Sequence, residues 1–202
     1  MTVWAIVVAA GSGSRFGGAK QFEDLRGRRV VDWAVAASRS VADGVVLVVP
    51  ADHVDDDAPA ADAVVAGAGT RSGSVRAGLA AVPADVDVVV VHDAARPFAS
   101  PALFEAVVAA VHGGADGAVP GMALADTIKR VVGGRVVATL DRAELVAVQT
   151  LQAFDAAALR RAHAAGGEAT DDAALVEAAG GRVVVVPGDP ANRKITERGD
   201  LP

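Results

Sequence analysis

Runs of valine and isoleucine that are apolar at every position recur along this chain, separated by alanine-rich stretches with helical spacing. A strand with one face in water alternates apolar and polar residues, whereas a strand apolar throughout must be covered on both faces. Residues 3–8, 45–49, 64–67, 86–91, 117–119 and 183–186 are predicted strands of this second kind. Helices are predicted over 30–40, 71–82, 101–111, 155–165 and 171–179. Ser100 before Pro101 and Thr170 before Asp171 supply start signals, a capping residue followed by a proline or an acid in the first turn. Such alternation predicts an α/β fold with a doubly wound, mostly parallel sheet. One stretch breaks the pattern. Residues 126–132 and 135–140 read as two β runs joined by Gly133-Gly134, a hairpin that protrudes as an arm. The chain is read as one domain over 1–202, with 126–152 as an arm suited to dimerisation.

Composition narrows the function. The chain is 52% hydrophobic but only 3% aromatic, so its core must be packed from Val, Ala, Leu and Ile. A net charge of −6 argues against a nucleic-acid partner held by bulk positive charge. With no cysteine, disulfides, thiol chemistry and cysteine metal sites are excluded. No apolar run approaches the ~20 residues needed to span a membrane, and residues 1–8 read as a buried strand rather than a signal peptide. A soluble cytoplasmic domain with no membrane partner is expected.

Only three of the nineteen Lys and Arg residues are lysines. Lys20 closes the glycine-rich run Ala9-Ala10-Gly11-Ser12-Gly13-Ser14-Arg15-Phe16-Gly17-Gly18-Ala19-Lys20. Lys129 ends Asp126-Thr127-Ile128-Lys129, and Lys194 lies in Asn192-Arg193-Lys194-Ile195-Thr196. A lysine is a mobile point charge, suited to following a phosphate whose charge changes during reaction. A glycine loop after a strand turns bare backbone amides toward a triphosphate, and Arg15 and Lys20 add charge over the same groups. The run is not a P-loop, because Lys20 follows Ala19 and precedes Gln21. It is not a dinucleotide fingerprint either, because Gly11, Gly13 and Gly17 are spaced one residue too long and the next strand ends in Val49-Pro50.

The opening run resembles that of nucleotide-sugar-type nucleotidylyltransferases. Together with His92-Asp93-Ala94-Ala95-Arg96-Pro97-Phe98 it resembles the 2-C-methyl-D-erythritol 4-phosphate cytidylyltransferase family. The resemblance continues through Asp126-Thr127-Ile128-Lys129, Leu140-Asp141-Arg142, Gln149-Thr150-Leu151-Gln152-Ala153-Phe154, Thr170-Asp171-Asp172-Ala173 and Arg193-Lys194-Ile195-Thr196. It implies a Rossmann-like nucleotidyltransferase fold and transfer of CMP from CTP to a small polyol phosphate in non-mevalonate isoprenoid biosynthesis. It also implies a homodimer, and magnesium carried mainly by the CTP phosphates with no metal ligand assigned to the protein.

Residue by residue, the resemblance implies Arg15, Lys20, Arg142 and Lys194 as catalytic residues. CTP would meet Ala9, Ala10, Gly11, Gly13, Gly67, Ala68, Ser74, Asp93, Ala94 and Thr150. The polyol phosphate would meet Asp93, Arg96, Thr127, Arg142, Thr170 and Lys194, with Thr127 and Arg142 reaching the partner's site. The chain departs from the family at Ala19, commonly proline, and at Gly67-Ala68-Gly69, commonly Gly-Gly. It also ends at Asp200-Leu201-Pro202 where relatives continue into a last helix, which is expected to leave a gap on one sheet face.

Two alternatives stand beside this reading: a cytidylyltransferase for ribitol 5-phosphate, and a catalytically silent nucleotide-binding domain. Intact Arg15, Lys20, Arg142 and Lys194 argue against the silent domain. Other polar residues read as structure. His92 is expected to pack at a strand end, while His53, His112 and His163 fall on surface-looking segments. Asp55-Asp56-Asp57 reads as a solvated helix start, and Arg160-Arg161 as surface.

Overall fold

The computed structural model describes residues 1–58 and 60–201. The strands that matter here are β1 (Val3–Val8), β2 (Gly44–Val49), β3 (Ala63–Ala66), β4 (Val88–Asp93), β5 (Gly117–Ala123), β6 (Ile128–Val132), β7 (Arg135–Leu140), β8 (Val146–Val148), β9 (Gln152–Asp155) and β10 (Val183–Pro187). The helices are α1 (Val30–Arg39), α2 (Arg71–Ala81), α3 (Pro101–His112), α4 (Ala156–Ala164) and α5 (Asp172–Ala178).

Eight strands form one mixed sheet. β1 lies between β2 and β4, parallel to both, and β3 follows β2 in parallel. β9 runs antiparallel between β4 and β5, β8 continues along the same edge of β5, and β10 pairs parallel on the other edge. Every residue of β2 and β4 is buried, as the continuous apolar runs require. Successive side chains face opposite layers. Val3, Ala5 and Val7 join Val88 and Val90 against Val31, Val35, Leu103 and Phe104 of α1 and α3. Ile6 joins Val89 and Val91 against Val75, Leu159 and Val176 of α2, α4 and α5.

The structure moves several predicted boundaries. The strand expected over 86–91 is Val88–Asp93, because Val3↔Val88 register carries it to the same end as β1. β8 and β9 are absent from the prediction; β9 fills the gap between β4 and β5, and β8 pairs with β5 alone. Asp155 and Asp171, expected inside their helices, are instead caps: their carboxylates accept from Ala158 N (2.7 Å) and Ala174 N (3.1 Å). Asp55–57 do not start a helix; a single turn at Ala51–His53 precedes them. Arg160, expected to be plain surface, donates to Pro83 O at 2.7 Å and so tethers α4 to the end of α2.

The hairpin forms as its own two-stranded sheet, β6 with β7, across a Gly133-Gly134 turn with φ of 54° and 78°. Two positive φ values in a row are what a tight hairpin needs, and glycine adopts them without strain. Val131, Val132, Val136 and Val137 on this arm are 49–59% exposed.

Candidate active site

A cavity of about 520 Å³ opens at the carboxyl ends of β1 and β4. This is where chain order reverses direction across the sheet, the usual ligand position in open α/β folds. The glycine loop forms one wall. Gly13 has φ +64°, and a side chain there would collide with the Gly18 carbonyl, so the turn admits only glycine. The Gly13 carbonyl accepts from Phe16 N (2.9 Å) and Gly17 N (3.0 Å). Phe16 is buried beneath the loop with Leu25, Val30 and Ile195, and Gln21 Nε2 donates to Gly11 O at 3.1 Å. Pinned from below, the loop turns Arg15 and Lys20 into the cavity.

Asp93, at the end of β4, is the one carboxylate lining the cavity among the described residues. Its Oδ2 accepts from Lys194 Nζ at 2.8 Å, and its Oδ1 lies 3.5 Å from Arg71 Nη2. Burial works against its charge, but Arg71 and Lys194 outweigh that and hold the carboxyl down at about 2. Lys20 is pulled below the ordinary lysine value by burial first, then by the positive charges of Lys194 and Arg15. Four cations, Arg15, Lys20, Arg71 and Lys194, therefore line a space with one acid, a field suited to a polyanion.

Lys194 is delivered by an interlocked set of loops. Asn192 is fully buried and donates Nδ2 to Thr150 O at 2.9 Å, while Ile195 N donates to Ala95 O at 2.8 Å. Arg96 Nη1 donates to Asn192 O at 2.6 Å.

Of the residues expected to meet CTP, Ala9, Ala10, Gly11, Gly13, Ala68, Ser74, Asp93 and Ala94 line the cavity with Arg15, Lys20 and Lys194. Five residues expected at the ligands, together with Arg142, lie outside that lining. Arg96 turns back to hold the Lys194 segment because its head finds a buried carbonyl there. Thr150 is buried, and its hydroxyl accepts from the Asp93 amide at 3.4 Å. Gly67 leaves room for Ala10, whose Cβ a side chain would strike. Thr170 is exposed before α5, and Thr127 is exposed at the root of the arm. Arg142 is also exposed there and donates to Ala125 O. Ser74 lines the cavity, but its hydroxyl holds the 68–70 turn, accepting from Ala68 N (3.1 Å) and donating to Thr70 O (2.9 Å).

The sequence reading missed Arg71 and misplaced His163. Arg71 lines the cavity, and its Nη1 donates to Asp172 Oδ2 at 2.7 Å. His163 is 3% exposed rather than on the surface, with Nε2 3.0 Å from Asp172 Oδ1. No spacing signal could have found this set, since residues 71, 93, 163 and 172 meet only through the fold.

His92 packs edge-on against Phe104, fully buried, both ring nitrogens lacking a hydrogen-bond partner of good geometry. Burial pushes it down to about 4 from the ordinary 6.5. The unfolded chain therefore binds a proton below pH 6.5 that the folded chain refuses until about pH 4. Stability is fully present above pH 6.5 and falls by up to about 3 kcal/mol as pH drops through that window. Denaturant titrations of wild type and His92→Leu across pH 4–7 check this: the leucine variant is expected to lose that part of the slope.

Comparison with known proteins agrees with this geometry along the whole chain. The family model for 2-C-methyl-D-erythritol 4-phosphate cytidylyltransferase matches residues 3–202. A Rhodococcus opacus protein of that name is 47% identical over 208 residues, covering 98% of this chain and 92% of its own. A bifunctional enzyme IspD/IspF from Nitratidesulfovibrio vulgaris is 44% identical over all of this chain, which spans 57% of that protein's length. The chain thus spans little more than half the length of the bifunctional relatives it matches. The crystal structure of 2-C-methyl-D-erythritol 4-phosphate cytidylyltransferase from Thermus thermophilus superposes with a TM-score of 0.81 at 34% identity, covering 97% of this chain and 94% of that one. With glycine loop, Asp93 strand end and Lys194 segment converging on one cavity in a chain matched from end to end, this protein belongs to the 2-C-methyl-D-erythritol 4-phosphate cytidylyltransferase family.

Proposed function

We propose that the protein transfers CMP from CTP to 2-C-methyl-D-erythritol 4-phosphate, giving 4-diphosphocytidyl-2-C-methyl-D-erythritol and pyrophosphate, a step toward isoprenoid precursors. The observation that carries this is the convergence of Arg15, Lys20 and Lys194 around Asp93 beside a glycine loop. A phosphate oxygen of the polyol substrate attacks the α-phosphorus of CTP, and the bond to the β-phosphate oxygen breaks. The nucleophile is already an anion, so no general base is required. What the reaction demands is in-line alignment and neutralisation of charge on the α-phosphate and the leaving pyrophosphate. Arg15 and Lys20 take the triphosphate. Lys194, held on Asp93 at the cavity lining, takes the phosphates of both substrates. Backbone of Ala9, Ala10, Gly11 and Ala68 reads the cytosine edge, and Asp93 with Ala94 meets the ribose side.

A magnesium ion fits this site only as a passenger of the nucleotide. Among the described residues no cluster of three metal-ligating side chains exists, and Asp93 is already shared between two cations. Magnesium keeps several waters and needs few protein ligands. When bound on the CTP phosphates it would offset their charge, with no ligand assigned to the protein.

We also propose a homodimer built through the arm. Its exposed valines lie on both sides of the ribbon and, with Leu140, Val146 and Val148, put large apolar side chains in water on and beside the arm. A two-stranded ribbon alone is marginal, so a second copy is its natural cover. Thr127 and Arg142 at the root of that arm would then complete the partner's site. The reaction is assigned to the cytoplasm; no described helix is long and apolar enough to cross a membrane.

The test is pyrophosphate release with CTP, offering 2-C-methyl-D-erythritol 4-phosphate and ribitol 5-phosphate in parallel. Turnover is expected with the first. Preference for ribitol 5-phosphate would reassign the substrate, and release with neither would leave a nucleotide-binding domain.

A further inference from the structure

Arg71 is the first residue of α2, directly after its Thr70 cap. A cation there faces the positive end of the helix dipole, which is unfavourable unless something else holds it. Two carboxylates do. Nη1 donates to Asp172 Oδ2 at 2.7 Å, and Nη2 reaches toward Asp93 Oδ1 at 3.5 Å. Asp172 has no exposed surface, and its other oxygen is taken by His163 Nε2 at 3.0 Å. A buried carboxylate is costly, and this one does not line the cavity. Its evident work is to fix the guanidinium.

We propose that Arg71 is a positioning residue for this site: its guanidinium bridges buried Asp172 to the cavity carboxylate Asp93, and so sets how tightly Asp93 holds Lys194. The proposal rests on the reaction assigned above. Asp93 sits between two cations, with Lys194 on Oδ2 at 2.8 Å. While Arg71 shares the charge of Asp93, Lys194 can pass to a phosphate. Without Arg71, Asp93 keeps Lys194 alone within hydrogen-bond reach, holds it harder and draws it away from the phosphates. A lysine at position 71 substitutes only in part, because a point charge cannot span two carboxylates as a planar fork does.

Arg71→Gln is therefore expected to lower kcat about tenfold, the scale of one charge-assisted hydrogen bond. KM for the polyol phosphate should rise, while CTP affinity, resting on loop amides, should change less than about threefold. Arg71→Lys should fall between wild type and Arg71→Gln. Asp172→Asn, which keeps shape but frees the guanidinium, should move kcat the same way.

The deciding comparison is made in the Asp93→Asn background, where adding Arg71→Gln should change kcat little further. If Arg71 merely holds the fold, the same factor will appear in both backgrounds, or activity per folded molecule and melting will fall together with CTP affinity. Either result overturns the proposal. Should Arg71→Gln not fold, Arg71→Lys carries the same comparison.

A second readout needs no turnover. Asp93 is faced by Arg71 from α2, Lys194 from the carboxyl-terminal segment, Lys20 from the glycine loop, and His92 and Arg96 from its own segment. The NMR titration of its carboxyl carbon in the unliganded protein should move to higher pH in Arg71→Gln, and an unmoved titration overturns the proposal. A wild type that releases no pyrophosphate would overturn the assigned reaction instead, leaving this titration to decide the role of Arg71.

Discussion

Lys20→Ala is expected to melt with wild type yet release pyrophosphate at least about 10²-fold more slowly, the scale of losing one preorganised transition-state donor. The fold has little stake in this side chain. The loop is pinned by Phe16 and Gln21, both buried, while Lys20 is half-buried at the cavity wall. Its crowding by Lys194 and Arg15 marks where negative charge belongs, since each cation there is held against its neighbours. Lys20→Arg should also be impaired, because a planar fork does not follow a phosphate as a point charge does. Arg15→Ala should fall on the same scale. A continuous pyrophosphate assay beside thermal melting checks all three, and near wild-type turnover in any of them removes that residue from the phosphate site. Burial of Lys20, and after it the charges of Lys194 and Arg15, are expected to bring the alkaline limb of the kcat/KM profile below the ordinary lysine range.

Arg142→Ala is expected to abolish turnover while leaving CTP binding intact, and mixing it with Lys20→Ala should bring activity back. Arg142 follows β7 in a single helical turn, exposed and outside the cavity lining of its own chain. If the arm docks on a second copy, each site takes Lys20 from one chain and Arg142 from the other. A hybrid dimer then holds one complete site and one lacking both. Random exchange makes half the dimers hybrid, so recovery should reach about a quarter of wild type. A tag on one variant verifies exchange, and verified hybrids without recovery would mean that Arg142 serves its own chain.

The central strands were legible because burial on both faces forces every residue to be apolar, and Val3–Val8 and Val88–Val91 obey that rule. The arm was legible from Gly133-Gly134. β9 was not. Gln152 and Asp155 make it read as polar, yet Gln152 is fully buried and bonded to Asp171 Oδ2 at 2.8 Å. A buried strand residue satisfied by a partner nineteen positions away carries no local pattern. The same limit hid Arg71, which reaches residues 22 and 101 positions away in sequence. Thr150 and Arg96 lie beside site residues in sequence, yet the Thr150 hydroxyl meets the Asp93 amide and Arg96 Nη1 the Asn192 carbonyl, outside the cavity lining. Motifs mark which segments converge, whereas the direction of each side chain is decided by the packing around it.

The small cluster beneath the glycine loop has an optical consequence. The chain has two tryptophans and no tyrosine. Trp4 lies in β1 opposite Gly44, among the packing on the α2 side of the sheet. Trp33 packs against the cluster of Phe16, Leu25, Val30 and Ile195 and donates its indole N–H to Leu25 O at 2.8 Å. Phe16 belongs to the segment bearing Arg15 and Lys20, and Ile195 to the one bearing Lys194. Trp33 is thus an intrinsic fluorophore seated where those two segments join. Its emission is expected to report whether they are locked together, against the background of Trp4 in the body of the sheet.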